Sequence, residues 1–135
     1  MRAVLDPNVL IAAILSREGT PSSLLRSWLD GGFELVVSDL LLDELERALA
    51  YPKLAARVAP ADASAYTALL RARVVRAVDP GVAEARSEDP DDDYLLALAE
   101  GTSSYLVTGD RHLLVLSDRL PVLTAVAFAA LVSER

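Results

Sequence analysis

Acidic side chains recur at four separated places in the chain: Asp6, Glu44, the run of residues 91–93, and Asp110. Carboxylate oxygens are the ligands that Mg²⁺ and Mn²⁺ prefer. One or two such ions can polarise a phosphate ester, activate a water and stabilise the leaving oxygen. Like charges about 4 Å apart repel by roughly 4 kcal/mol at an effective dielectric of 20, so such a cluster needs a counter-charge. If the fold brings these acids together, we expect a divalent-metal site.

The composition restricts the metal chemistry. The 135 residues contain no cysteine and one histidine, His112, which excludes thiolate and multi-histidine sites. The net charge of −7 opposes nucleic-acid binding by phosphate neutralisation, but bound divalent ions would reverse the local field. Length and apolar content predict a single domain over residues 1–135. Since no apolar run reaches about 18 residues, we expect a cytoplasmic protein without membrane contact.

Short apolar runs alternate along the chain with segments of helical periodicity. This pattern predicts the strands and helices that carry the acids. Ser22 is expected to N-cap the second helix, and Ser38 or Asp39 the third. Predicted strands cover residues 2–5, 33–37, 74–78, 105–108 and 121–123, and predicted helices cover 8–16, 22–29, 39–50, 60–70, 94–100 and a final segment to 132, with an acidic loop at 84–91.

Continuous apolar strands separated by helices are typical of a parallel sheet covered on both faces, so the fold class is α/β. Ligands bind such sheets beyond the carboxyl ends of the strands. Asp6 follows the first strand and Asp110 the fourth, while Glu44 lies in the helix after the second strand. Each acid taken singly is more typical of a helix cap or a solvated surface; their common edge favours a site.

The chain contains, in order, the segments VLDPNVLI at 4–11, SDLLLDEL at 38–45, DPDDDYLLA at 89–97 and YLVTGD at 105–110. These four segments resemble the motifs of PIN domains, in particular those of the toxin components of bacterial and archaeal toxin–antitoxin pairs. The resemblance implies a three-layer α/β/α sandwich with a mainly parallel sheet of four to five strands. It also implies endoribonuclease activity with Mg²⁺ or Mn²⁺, an antitoxin partner and a homodimer.

The resemblance also implies roles for individual residues. Asp6, Glu44 and Asp110 match acidic metal-site positions, while Asn8 and Thr108 match polar positions that support them. The third acid is assigned to Asp92, with Asp93 as the alternative because helix phase also allows it to face the site. Asp6, Glu44 and Asp92 are expected to hold the metal, and Asp110 to complete a second site or orient the ions. Pro7 departs from the family, where a small polar residue is usual; Pro suits a first helical position.

Two other functions remain open at this stage. Asp6 would be the nucleophile of an aspartyl-phosphate enzyme of haloacid-dehalogenase type, although the only lysine is Lys53 and Asn8 replaces that family's second aspartate. The second alternative is a non-catalytic interaction module with the same fold. The basic residues Arg71, Arg73 and Arg76 are candidates for phosphate contacts or for a solvated face. His112 is interpreted as a turn residue.

Overall fold

The computed structural model describes residues 1–81 and 92–134, which form strands and helices in alternation. The order is β1 (Arg2–Leu5), α1 (Pro7–Leu15), α2 (Thr20–Leu29), β2 (Glu34–Val37), α3 (Asp39–Ala50), α4 (Pro52–Ala55), α5 (Pro60–Arg73), β3 (Val75–Arg76), α6 (Asp93–Gly101), β4 (Tyr105–Val107), α7 (Arg111–Leu114), β5 (Val122–Leu123) and α8 (Ala125–Ser133).

The strands form one five-stranded sheet in the order β3-β2-β1-β4-β5, and each neighbouring pair is parallel. The predicted α/β class and parallel sheet are therefore confirmed. β2 and β3 lie on one side of β1, and β4 and β5 on the other. Because crossover connections are right-handed, the two halves send their helices to opposite faces. The reversal opens a crevice between the carboxyl ends of β1 and β4, where ligands bind in folds of this kind.

The central strand shows why the sequence takes this arrangement. Ala3, Val4 and Leu5 are at most 1% exposed, as expected for a run of apolar residues covered on both faces. In one layer of helices beside the sheet, α1 packs against α2 and α3, and α5 packs against α3. Helix α6 instead contacts β1 and β4. The described core therefore surrounds β1, directly beneath the crevice.

Two helix starts place candidate residues. Asp6 caps α1, with Pro7 in the first helical turn, where its missing N–H costs nothing. Ser38 caps α3, its hydroxyl accepting from the backbone N–H of Leu41. The buried face of α3 then repeats at helical spacing and turns the acidic positions between its members outward or to the edge. That face consists of Leu41, Leu42, Leu45 and Leu49.

The second helix begins earlier than predicted. Helix α2 starts at Thr20 with Gly19 as its N-cap, so the assignment of Ser22 as the cap was wrong. Ser22 is buried, and its hydroxyl donates to the carbonyl of Ala13 at 2.8 Å and also to that of Ser16. The hydroxyl that looked like a cap thus joins α2 to α1. Pro21 already suits the first turn of the longer helix.

Other elements also differ from the sequence prediction. The third strand is limited to Val75–Arg76, and Val78 is 90% exposed. The short helices α4 and α7 were not predicted, because four residues are too few to display a helical period. His112, expected in a turn, lies in α7. The predicted acidic loop 84–91 lies outside the described residues.

Aromatic contacts close the side of the core near the last helix. Phe33 and Phe128 meet edge to face with ring centroids 5.0 Å apart, and Tyr105 lies 5.8 Å from the same Phe128 ring. Through these rings α8 packs beside β4 and the residue before β2, and it also contacts α2 and β5. Trp28 is buried in the core. In the parts of the chain described, no helix is long and apolar enough to cross a membrane.

Candidate active site

Asp6 lies at the carboxyl end of β1, in the crevice between β1 and β4. Its backbone N–H donates to the carbonyl of Val107 at 2.9 Å, which continues the β1–β4 pairing to the edge of the sheet. Its Oδ1 accepts the backbone N–H of Asn8 at 2.9 Å. The side chain is 5% exposed. The strand end and the helix start together fix this carboxylate in one orientation.

Thr108 connects Asp6 on one side of the crevice with Asp110 on the other. Its hydroxyl donates to Asp6 Oδ2 at 2.8 Å and accepts the backbone N–H of Asp110 at 3.0 Å. The side chain is fully buried. A hydroxyl has one proton to donate and two lone pairs, so this contact orients Asp6 and the Gly109–Asp110 turn together. Asp110 in turn caps α7, with its Oδ1 accepting the backbone N–H of His112 at 2.9 Å.

The environment of Asp6 is unfavourable for a negative charge. Burial is the largest effect and raises the pKa of this carboxyl above its ordinary value. Hydrogen bonds from Asn8 and Thr108 lower the pKa in part, and the negative charges of Glu44 and Asp110 raise it again. The fold therefore brings three of the predicted acids close enough to repel one another.

Glu44 is held by a tyrosine on the opposite helix. It is half-buried on α3, and its Oε2 accepts the phenolic O–H of Tyr94 on α6. Burial raises the pKa of Tyr94, and the hydrogen bond to Glu44 and the charges of Glu44, Asp6 and Asp92 add to that effect. Tyr94 is thus near enough to three of the predicted acids to sense their charges.

The two candidates for the third acid have different surroundings. Asp92 precedes α6 and is half-buried, while Asp93 is the first residue of α6 and is fully buried. Both make contacts with other groups. Asp91 lies outside the described residues. The choice between Asp92 and Asp93 therefore stays a prediction.

Asn8 and Thr108 were both expected to support the acids. Thr108 does so with its side chain, as described above. Asn8 bonds to Asp6 through its backbone N–H, and the residue is exposed. That contact is available to any residue except proline at this position, so it assigns no role to the Asn8 amide.

A divalent cation is chemically compatible with this set of donors. In residues 1–81 and 92–134, no group of three acidic or histidine side chains is close enough together to hold a metal ion as it stands. The candidate ligands are nevertheless all carboxylates, as hard cations require. A carboxylate has about four lone-pair positions, so Asp6 can keep its two hydrogen bonds and still bind a cation. A cation would also offset the repulsion that raises the pKa of Asp6.

The three arginines considered for phosphate contacts are engaged with protein groups. Arg71 pairs with Glu46 on α3, and Arg76 pairs with Asp39 at 2.7 Å. Arg73 donates to the carbonyl of Leu29 at 3.3 Å. These pairs are exposed and can exchange with solvent, so they do not exclude phosphate contacts. They do favour a structural interpretation of this surface.

The family model described as the PIN domain matches residues 2–112. The chain therefore belongs to the PIN-domain family, as the resemblance of its motifs implied. PIN domains are generally nucleases, which agrees with acids gathered at the carboxyl edge of the sheet. No curated protein matches the chain significantly.

Two solved structures share the fold. PAE2754 from Pyrobaculum aerophilum aligns with a TM-score of 0.70 and 18% identity, covering 100% of this chain and 91% of its own. VapBC2 from Rickettsia felis, solved with a DNA fragment from their promoter, aligns with a TM-score of 0.60 and 16% identity. That alignment covers 91% of this chain and 97% of the other. At these identities the likeness concerns the fold alone.

Sequence reasoning overlooked Tyr94 as a member of the site. Its partner Glu44 is 50 residues away, and no local pattern pairs the two. One signal was available: Tyr94 is the only residue with a hydroxyl in α6, a helix otherwise rich in leucine and alanine. A polar group that directly follows an acidic run on a buried helix needs a partner.

Proposed function

We propose that this protein is an endoribonuclease that depends on Mg²⁺ or Mn²⁺ and acts as the toxin of a toxin–antitoxin pair. The observation that carries the proposal is the buried Asp6 carboxylate, held by Thr108 and the Asn8 N–H under the charges of Glu44 and Asp110. An arrangement that repels negative charge at a sheet crevice is suited to a cation. Membership of a family of nucleases supports hydrolysis of a phosphodiester.

Each acid has a proposed part in the reaction. Asp6, Glu44 and Asp92 would bind the cation, with Asp93 as the alternative third acid, and Asp110 would bind a second ion or orient the first. The bound cation would supply positive charge for the phosphate oxygens and activate the attacking water. Thr108 keeps Asp6 and Asp110 oriented. The protein contributes position and electrostatics, acting as one domain.

Asp92 and Asp93 can be separated by paired substitutions. The charge of Asp92 acts on Tyr94, next to Glu44, which supports Asp92 as the ligand. Asp93 is fully buried at the first position of α6. If Asp92 is the ligand, Asp92→Asn weakens Mn²⁺ binding more than Asp93→Asn does. The reverse order would assign the role to Asp93.

The proposal is tested by RNA cleavage with Mg²⁺ or Mn²⁺, with and without EDTA. Asp6→Asn removes the charge at nearly constant shape, and Asp43→Asn is the matched control because Asp43 is exposed on α3. We expect Asp6→Asn to reduce metal-dependent cleavage by at least about 100-fold, the loss typical of an essential electrostatic group. Asp43→Asn should cleave like the wild type. Cleavage that survives Asp6→Asn in a folded protein would reject the assignment.

The partner and the assembly are part of the same proposal. A toxin–antitoxin role is supported by the likeness to VapBC2, a toxin–antitoxin PIN protein. We expect a small antitoxin encoded beside this protein to block the acidic crevice. We also expect a homodimer that extends the substrate groove. Genome neighbourhood and co-expression with the adjacent small protein test for the antitoxin, and light scattering tests for the homodimer.

The two alternatives predict different results in the same experiment. A phosphotransferase would form a covalent acyl-phosphate on Asp6, which can be trapped and removed by Asp6→Asn. A non-catalytic module would leave every RNA intact with either metal. Family membership favours the nuclease over the aspartyl-phosphate enzyme.

A further inference from the structure

The phenol of Tyr94 reaches across the site to an acid on another helix. Tyr94 lies near the start of α6, and its O–H donates to Oε2 of Glu44, midway along α3. The buried positions that follow on α6 are Leu95, Leu96, Leu98 and Ala99, so the helix is otherwise packed by aliphatic side chains. Packing alone would be served by phenylalanine at position 94. The hydroxyl therefore requires an explanation in its contact with Glu44.

The contact restrains a side chain that otherwise has much rotational freedom. Glutamate loses considerable rotamer entropy when it is fixed, and the negative charges of Glu44 and Asp6 repel each other. Tyr94 bonds one oxygen, Oε2, and leaves Oε1 available to a second partner. The charges of Asp6 and Asp92 also raise the pKa of Tyr94, so the phenol lies near both acids. The bond thus fixes the direction of the Glu44 side chain at a place where its charge and that of Asp6 repel each other.

A second tyrosine shows what a purely structural phenol looks like in this protein. Tyr66 on α5 is buried, and its O–H donates to the backbone carbonyl of Leu10 on α1 at 2.8 Å. That contact joins two helices and involves no acidic side chain. Burial raises the pKa of Tyr66. At Tyr94 the charges of three acids raise the pKa in addition to burial. The two phenols therefore provide a matched pair.

We infer that Tyr94 is a positioning residue, whose hydroxyl orients Glu44 so that Oε1 can bind a divalent cation together with Asp6. The inference rests on the proposed metal-dependent function. Hydrogen bonds to ligating carboxylates fix their direction, and loss of such a partner typically weakens metal binding or activity about 10- to 100-fold. Tyr94 itself need not contact the cation or the RNA.

The test measures Mn²⁺ binding to the full chain by titration calorimetry, without RNA. Tyr94→Phe keeps the ring and removes the hydroxyl, and Tyr66→Phe is the control that removes a structural hydroxyl. We expect Tyr94→Phe to weaken Mn²⁺ binding about 10- to 100-fold. Tyr66→Phe should bind Mn²⁺ like the wild type. Unfolding in EDTA is recorded for both, so that binding is compared at a temperature where every variant is folded.

The outcomes separate this inference from the proposed function. If the wild type binds Mn²⁺ and Tyr94→Phe binds it equally well or more tightly, the positioning role is rejected while the metal site stands. A variant that only unfolds more easily would make Tyr94 a structural residue like Tyr66. If the wild type does not bind Mn²⁺, the metal site is rejected and the positioning role with it.

A double substitution shows whether Tyr94 acts through Glu44. Glu44→Asp keeps a carboxylate but shortens it, so the phenol can no longer bond it in the same geometry. If Tyr94 acts through Glu44, Tyr94→Phe should cost far less Mn²⁺ affinity in the Glu44→Asp background than in the wild type. Equal losses in the two backgrounds would mean that Tyr94 acts by another route, and would overturn the inference.

Discussion

The acids on the outer side of helix α3 and the acids at the crevice are compensated in different ways. On the outer side, Asp39 pairs with Arg76 and Glu46 pairs with Arg71, so each carboxylate faces a cation supplied by the chain. On the side towards the crevice, Glu44 receives the phenol of Tyr94. Asp6 likewise receives neutral donors, the Thr108 hydroxyl and the Asn8 N–H.

The difference indicates which acids serve the fold and which serve a ligand. An arginine beside a carboxylate neutralises it and leaves little attraction for a metal ion. Neutral donors orient a carboxylate but leave its charge in place. The acids in the crevice repel one another, as the effect of Glu44 and Asp110 on the pKa of Asp6 shows. Charge that is oriented but not neutralised is what a cation site requires.

The largest expected effect on RNA cleavage comes from substitution of Glu44, compared with substitution of Glu46 on the same helix. Glu44→Gln keeps the size of the side chain and removes the crevice charge, and Glu46→Gln does the same on the outer side. We expect Glu44→Gln to lower metal-dependent RNA cleavage on the order of 100-fold. Glu46→Gln should leave the rate nearly unchanged, because only an exposed pair with Arg71 is lost. Similar losses in both variants would show that the two groups do not differ in function.

Substitution of Thr108 tests how much a neutral donor contributes to the stability of the crevice. Thr108→Val keeps the shape but leaves Asp6 Oδ2 without its hydroxyl donor and the Asp110 N–H without its acceptor. An unsatisfied buried polar group costs about 1–3 kcal/mol, so the free energy of unfolding should fall by that amount. Thr108→Ser should restore most of the loss. The control is Thr67→Val, since Thr67 only bonds carbonyls of its own helix.

Chemical denaturation measures the free energy of unfolding of all three variants and of the wild type. If Thr108→Val is as stable as the wild type, the hydroxyl does not hold the crevice together.

The sequence predicted the central part of the fold because its signals are local. A continuous apolar strand, Asp6 and then Pro7 identify β1, the cap and the start of α1 within a few residues. The buried face of α3 follows from the spacing of its leucines. The position of the acids follows from topology, since parallel strands end at one edge of the sheet.

The remaining features depend on partners that are distant in the chain. Tyr94 and Glu44 are 50 residues apart, and Arg76 and Asp39 are 37 apart. No periodicity encodes such pairs. Ser22 was misassigned for the same reason, because its hydroxyl serves the end of α1 and not its own helix. Local rules place an acid in the crevice but do not reveal which group will hold it.

A smaller effect, of opposite sign, is expected from the charge of Asp6 on stability. Because its pKa in the folded protein is raised above 3.8, chiefly by burial, ionised Asp6 destabilises the fold. The stability that comes from keeping Asp6 protonated is fully present below the pKa of Asp6 in the unfolded chain. It is lost as the pH rises through the pKa of Asp6 in the folded protein. Asp6→Asn should therefore be more stable than the wild type at pH 7 in EDTA. The gain should vanish below about pH 3.8.

A bound metal ion should reverse the order of stability of the wild type and Asp6→Asn. Mn²⁺ at 100 times its dissociation constant should stabilise the wild type by about 2.7 kcal/mol. Asp6→Asn should gain little from the same concentration. Thermal unfolding in EDTA and in Mn²⁺ across pH 3–8 provides the measurement, with Asp43→Asn as the exposed control. An Asp6→Asn variant that is less stable than the wild type in EDTA would show that Asp6 is a structural cap whose charge is well compensated.

The smallest effect is expected on the outer side of α3. The side chains of Arg76 and Asp39 are 51% and 78% exposed, and exposed ion pairs contribute at most about 1 kcal/mol. Arg76→Ala should change the free energy of unfolding by less than this, and salt should screen the difference. RNA cleavage should be unaffected. If Arg76 instead contacts RNA phosphates, Arg76→Ala weakens RNA binding and reduces its salt dependence, while Asp39→Asn strengthens binding by releasing the guanidinium. That result would make the outer side part of the substrate path, and the outer acids and the crevice acids would serve one function.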